Sequence, residues 1–207
     1  MRILLIDTST SNITVSIVEN DNILYNYHEF IKTDMSSKIM PIINEGLKQL
    51  NLTINDINKI FVVNGPGSFT GIRVGVTVAK TIAWALKKDI IALSSLELMA
   101  TTNTDKKYLV PMIDARRGNV FTGIYDRELN CVSENKLIKL EEFIKNLNND
   151  YEFISYDDIE IETIVRPNIN ILKIINKHIN DEGVNPHNLN PNYLKLTEAE
   201  ENKLKND

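Results

Sequence analysis

The apolar and polar positions change period along the first hundred residues, and each change marks an element. Residues 2–8 form a short apolar run of the kind a buried strand makes. Ile13, Val15 and Ile17 then alternate with Thr14, Ser16 and Val18, a period of two that predicts a second strand. The turn cluster Glu19-Asn20-Asp21-Asn22 leads into an extended stretch at 23–30. Residues 1–30 therefore read as an antiparallel three-strand meander, with Asn12 in its first tight turn. From Ser36 the spacing becomes helical, with Ile39, Ile42, Ile43, Leu47 and Leu50 on one face. Pro41 is tolerable only near the start of that helix, where its missing N–H costs least. Residues 59–64 predict a strand. Residues 70–86 predict a helix with Val74, Val78, Ile82 and Ala85 along one stripe. Residues 90–93 predict a strand, and Ser94 or Ser95 caps a further helix. Alternating strands and helices define an α/β chain.

The polar stretch 101–107 is the expected boundary between an N-terminal lobe, 1–103, and a smaller C-terminal lobe, 104–195. A polar tail follows at 196–207, a frayed helix or disordered. In the second lobe, 108–113, 119–125 and 130–137 read as strands, with a turn at Arg116-Arg117-Gly118. Residues 141–147 and 172–179 look helical. No internal sequence repeat is visible.

Composition narrows the function classes. An apolar content of 43% excludes a disordered tail protein, and no run of about 18 apolar residues predicts a membrane-spanning helix. The single cysteine, Cys131, excludes an internal disulfide and a cysteine metal cage, and the cytoplasm is the expected compartment. The formal net charge of −5 argues against a chain that grips nucleic acid unaided.

Three segments carry candidate chemistry. Gly65-Pro66-Gly67-Ser68-Phe69-Thr70-Gly71-Ile72-Arg73-Val74-Gly75 lies between a strand and a helix. Its glycines permit close backbone approach, and the helix start offers unpaired N–H groups that suit a phosphate. The segment nevertheless fits neither a Walker loop, because no lysine follows Gly71, nor the dinucleotide fingerprint, which needs glycine at Thr70. The plainer reading is a tight turn that lets two elements or two chains approach. Asp7-Thr8-Ser9-Thr10-Ser11 puts a carboxylate and hydroxyls on a turn, either to hold a phosphate with a metal or simply as turn residues. Asp114-Ala115-Arg116-Arg117-Gly118 is either an anion clamp or a solvated hairpin tip. His28, His178 and His187 show no ligand spacing, and Ser68 sits in no nucleophile elbow.

Four stretches together resemble one family: ILLIDTSTSNITVSIV, VVNGPGSFTGIRVGVTVAKTIAWAL, ALSSLELMA and MIDARRGNVFTGIY, with a weaker match in PNYLKLTEAE. They are similar to the TsaB (YeaZ) family of tRNA threonylcarbamoyladenosine biosynthesis proteins, non-catalytic paralogues of TsaD. The resemblance is poor over 133–190. It implies a two-lobed acetate-kinase/Hsp70/actin-like fold, each lobe a mixed sheet with flanking helices. It also implies a non-catalytic activating subunit that scaffolds TsaD, helps recruit the ATPase TsaE, and meets tRNA through the complex. The complex moves a threonylcarbamoyl group to adenosine 37 of ANN-decoding tRNAs. TsaD's H-x-x-x-H metal motif has no counterpart at residues 35–41, where Met35 stands in place of a histidine common in the family. The resemblance implies no metal and no cofactor of the chain's own, with ATP or ADP at the interface of the complex. Homodimers form through the same helix face. The candidate partner interface is Ile39, Ile42, Ile43, Leu47, Gly71, Val74, Gly75 and Val78. The candidate vestigial nucleotide contact is Asp7, Thr8, Ser9, Gly65, Gly67, Ser68 and Arg116. The competing reading is a small ATP-dependent phosphotransferase of the same superfamily. A peptidase has the least support.

Overall fold

The computed structural model describes residues 1–31, 34–147 and 150–194. β1 (Arg2–Asp7), β2 (Asn12–Glu19) and β3 (Asn22–Phe30) form the expected antiparallel meander. Asn12 opens β2, so the tight turn is residues 8–11, one step earlier than the sequence reading placed it. α1 (Met35–Gln49), β4 (Lys59–Gly65), α2 (Phe69–Leu86), β5 (Asp89–Ser94) and the short α3 (Ser95–Met99) follow. β4 and β5 add in parallel, giving the order β3-β2-β1-β4-β5. Pro41 falls in the second turn of α1, not at its start, where it forfeits one backbone bond to the preceding turn.

The second half repeats the arrangement. β6 (Tyr108–Arg116), β7 (Asn119–Asp126) and β8 (Cys131–Lys139) form a meander. α4 (Leu140–Lys145) then leads to β9 (Tyr151–Ile154), which lies parallel to β6. The order β8-β7-β6-β9 matches β3-β2-β1-β4 strand for strand. The repeat exists in topology although none is legible in sequence. β9 has only four residues, too few for a period to register. α5 (Ile171–His178) follows. The polar tail lies outside the described residues.

Strand period sorts the side chains into three cores. In β1, Leu4 and Ile6 face α1 and α2, while Ile3 and Leu5 face the other way. β4 does the same, with Ile60 and Val62 toward the helices and Phe61 and Val63 opposite. The middle core draws on both sheets, joining Ile3 and Phe61 to Leu109, Phe121 and Ile154, with Leu96 of α3 and Ile174 of α5 between them. A small outer core under α4 completes the layers. Strands buried on both faces read as continuous apolar runs, which β1 and β4 do. No described helix is long and apolar enough to cross a membrane.

After α5 the chain returns to the first sheet. The Val184 N–H donates to Ile90 O of β5 at 2.9 Å, and Asn192 N–H donates to Asn64 O at 2.7 Å. Leu189 is buried in the core beneath α2, and Lys80 Nζ donates to its carbonyl at 2.7 Å. Residues 184–193, allotted by sequence to the second lobe, thus form a strap across the first.

α5 is pinned to α3 by charge. His178 Nε2 lies 3.0 Å from Glu97 Oε1, and Nδ1 lies 2.6 Å from Asp181 Oδ2. Lys177 Nζ meets the same Glu97 oxygen at 2.7 Å. A ring that donates from both nitrogens must be imidazolium. The hydrogen bond to Glu97 raises the His178 pKa against the pull of burial, helped by Asp181. Burial pushes Glu97 up, but the bonds from His178 and Lys177 outweigh it and hold its carboxyl below the usual range. His178 therefore contributes stability that is complete below its unfolded pKa of about 6.5 and is lost as pH rises through the raised value. Glu97 contributes above about 4.5 and loses its share as pH falls through its lowered value. The melting-temperature deficit of His178→Gln against the wild-type chain is expected to be greatest between about pH 4.5 and 6.5 and to shrink toward pH 9. A deficit independent of pH in thermal denaturation would rule out the imidazolium.

Candidate functional site

The turn at residues 8–11 lies directly on the start of α2. Thr8 Oγ1 donates to Gly71 O at 2.7 Å, and Ser68 N–H donates to Ser9 O at 2.7 Å. The approach is close enough to require glycine. A Cβ on Gly67 would fall 2.1 Å from Ser9 O, and one on Gly71 would fall 2.1 Å from Thr8 O. Gly67 also has φ +148°, a region open chiefly to glycine. The packing reading of the glycine segment is therefore the one its geometry explains. Ser68 caps α2, its Oγ accepting from Gly71 N at 3.2 Å, and the N–H groups of Phe69 and Thr70 have no intrahelical partner.

A cleft of about 340 Å³ opens between the two sheets at this point, lined by Ser9, Thr10, Ser11, Gly67 and Ser68 on one side and Asp114, Arg116 and Asp157 on the other. All three sequence motifs thus converge. Of the candidate nucleotide contacts, Ser9, Gly67, Ser68 and Arg116 line the cleft. Asp7 and Thr8 lie beneath the turn, and Gly65 faces the strap, where a Cβ would fall 2.2 Å from Asn192 O. Ser9 Oγ is buried with no hydrogen-bond partner among the described residues. The opposite wall is acidic. Asp157 Oδ2 accepts from Asp114 N at 2.8 Å, and the exposed Arg116 is already tied to Asp114 at 3.2 Å. Arg116, Arg117 and Gly118 all have positive φ, so the arginines sit on a hairpin tip as well as at the cleft mouth. Two carboxylates against one paired arginine leave little net attraction for a phosphate.

Asp7 is buried, and its Oδ1 accepts from Ser9 N at 2.7 Å. Burial pushes its pKa up to about 6, with the Ser9 bonds opposing. Asp7 in turn raises Tyr156, after burial of that ring, and Tyr156 OH meets His28 Nε2 at 3.2 Å while His28 Nδ1 meets Thr14 Oγ1 at 2.8 Å. Sequence reasoning missed Asp157 on the cleft wall and Tyr156 next to it, because only the pairing of β9 with β6 brings them there, and it missed His28, which lines a separate small cavity with Thr14 and Asn26.

On the outside of the same helices the partner expectation needs correction. Ile39, Ile42, Ile43 and Leu47 are buried against the first sheet, and Gly71 and Gly75 are buried against Thr8. Periodicity identifies an apolar stripe but not the side it faces, and here it faces inward. The buried face of α2 is Ile72, Val76, Ala79, Ile82 and Ala83, so of the expected stripe only Ile82 is buried and Ala85 is exposed. Val74 and Val78 remain half-buried. With Ser36, Phe69, Thr70, Arg73 and Thr77 they line an open groove of about 440 Å³.

A family model described as "TsaD: tRNA N6-adenosine threonylcarbamoyltransferase" matches residues 29–189. The tRNA threonylcarbamoyladenosine biosynthesis protein TsaB of Bacillus subtilis is 33% identical over 223 residues, covering 97% of this chain and 96% of that one. Its Escherichia coli counterpart is 33% identical over 135 residues, covering 64% and 58%. YeaZ from Pseudomonas aeruginosa superposes with a TM-score of 0.80 at 20% identity, covering 93% and 99%. Two mixed sheets built on one repeated unit, with a cleft between them, define an actin-like α/β protein related to TsaD. Within that class the chain belongs to the TsaB family, whose members are named for tRNA threonylcarbamoyladenosine biosynthesis.

The buried Asp7 generates a prediction. A carboxyl whose folded pKa is raised costs nothing below about pH 3.8, where both states are protonated. The cost grows as pH rises through about 6 and is complete above it, reaching about 3 kcal/mol for a shift of this size. Asp7→Asn retains an acceptor for Ser9 N without the charge. It is expected to stabilise the chain by up to about 3 kcal/mol at pH 7 and by almost nothing near pH 4, measured by urea denaturation at both.

Proposed function

We propose that this chain is a non-catalytic subunit of the complex that transfers a threonylcarbamoyl group to adenosine 37 of ANN-decoding tRNAs. It pairs with the TsaD paralogue, activates it, and helps recruit the ATPase TsaE. The observation that carries the reading is the open groove between α1 and α2, lined by Val74 and Val78, on a chain of this family. Half-buried apolar side chains on paired helices suit a helix-on-helix contact with a related chain. The same face serves a homodimer when the paralogue is absent. In this reading the chain has no cofactor or metal of its own, ATP or ADP belongs to the interface of the complex, tRNA is met through the complex, and the compartment is the cytoplasm.

The unpartnered Ser9 Oγ beside the start of α2 favours a second reading, an ATP-dependent phosphotransferase. The acidic opposite wall weighs against it. Micromolar, magnesium-dependent ATP binding by the isolated chain would reinstate it.

The deciding experiment is an omission assay with purified TsaD, TsaE, the adenylate-forming enzyme, tRNA, threonine, bicarbonate and ATP. Labelled threonine is expected to enter tRNA only when this chain is added, and equal incorporation without it overturns the proposal. Val78→Asp places a charge in the groove, where leaving it unpaired costs several kcal/mol, so TsaD pairing is expected to weaken by about 100-fold or more with the fold intact. Ile42→Asp instead buries a carboxylate in the core and is expected to unfold the chain. Gel filtration and circular dichroism separate the two.

A further inference from the structure

A row of side chains along α2 lies outside the cleft and the core, on the strap side of the helix, with Phe69 and Arg73 shared with the rim of the groove and Lys80 tied to the strap. Phe69, Arg73, Lys80 and Trp84 recur at spacings of four and seven and so stand on one side of the helix, over about 23 Å, and Lys87 follows at its left-handed C-cap. Trp84 is 62% exposed and Phe69 50%. The strap runs beside the row and adds an aromatic ring at each end. Tyr193 stacks on Phe69 with centroids 4.8 Å apart, and His187 meets Trp84 edge-on at 6.1 Å. The Arg73 guanidinium lies 3.7 Å over the Phe69 ring, and its Nε donates to Tyr193 OH at 2.8 Å, leaving both terminal nitrogens free of that bond.

The charge around the row is as uneven as its shape. The protein carries 28 acidic residues, yet none falls between Ile57 and Lys88, a stretch with five cations, and none falls in the strap from Gly183 to Leu194. Arg73, Lys80 and Lys87 form no ion pair among the described residues, although Lys80 Nζ is bonded to the strap carbonyls of His187 and Leu189 at 3.4 and 2.7 Å. The overall charge of −5 argued against unaided nucleic-acid binding. At physiological salt, however, charges more than about 8 Å away are largely screened, so the local row decides what docks there.

We propose that this row is a docking track for a short single-stranded RNA segment. Bases stack on Trp84 and on the Phe69–Tyr193 pair, and Arg73 and Lys87 meet the phosphates, while Lys80 holds the strap in place beside them. Aromatic faces alternating with unpaired cations are the pattern that single strands use, each stacked base contributing about 1–3 kcal/mol. An acidic peptide would use the cations but not the ring faces. The inference goes beyond the subunit role and does not rest on it, because the isolated chain suffices to test it.

Trp84 is the only tryptophan, so selectively excited tryptophan emission reports on this row alone. The full chain is titrated with a ~10-nucleotide oligoadenylate at about 50 mM and about 200 mM salt. Expected are quenched emission and a slope of log affinity against log salt of about −1.4, from two phosphate contacts. Anisotropy of labelled oligoadenylate then compares variants whose circular dichroism matches wild type. Lys87→Ala is expected to reduce the slope by about 0.7. Trp84→Ser is expected to weaken binding about fivefold or more, and Trp84→Phe to retain most of it. The proposal is overturned by absence of binding at the lower salt, by wild-type affinity in the Trp84→Ser and Lys87→Ala chains, or by a polyglutamate peptide that quenches Trp84 equally well. The last result would assign the row to an acidic protein partner.

Discussion

The seating of the first turn on the start of α2 fixes the geometry of the molecule. The carbonyls of Thr8 and Ser9 occupy the space that side chains at Gly71 and Gly67 would fill. That contact sets how near α2 lies to the first sheet. It therefore also sets which residues of α2 enter the core and which remain outside, beside α1 and beneath the strap. A helix a few ångströms farther out would bury neither Val76 nor Ala79 and would open the cleft floor at Ser9. Glycine's lack of a side chain here serves packing density more than backbone freedom.

The middle core has a related effect. Ile3 and Phe61 from one sheet share it with Leu109 and Phe121 from the other, and α3 and α5 fill the space between. Neither sheet can expose that face to water without losing the contacts of both, so the cleft between them is a fixed feature of one core and not a gap between loosely joined halves. The Glu97–His178–Asp181 cluster closes the same layer with charge at its edge.

Much of this was legible in the sequence, and the failures have physical causes. A continuous apolar run located β1, period two located β2, and the change to helical spacing located α1 and α2, because those elements carry strongly apolar faces, whereas the largely exposed β3 was marked only by the turn cluster before it. The direction of the α1 stripe was not legible, since Ile39, Ile42, Ile43 and Leu47 would look the same facing a sheet or a partner. The glycine segment announced a close approach without naming what approaches, which proved to be the backbone of residues 8 and 9. The convergence of Ser9, Gly67 and Arg116 on one cleft needed the pairing of two sheets, and Asp157 needed a four-residue strand that no period marks. The strap contains no periodic pattern at all. It is held by backbone bonds to Asn64 and Ile90 and by one buried leucine.

That strap links the end of the chain to its beginning. The partners of Val184, Leu189 and Asn192 lie some ninety to over a hundred residues earlier, in β5, α2 and β4. On a ribosome the first sheet emerges with its β5 edge unpaired and the strap side of α2 bare, and it stays so until residues 184–192 have followed it. The first sheet therefore cannot reach its final state alone, and synthesis leaves an open strand edge exposed to other nascent chains while the intervening second sheet is made.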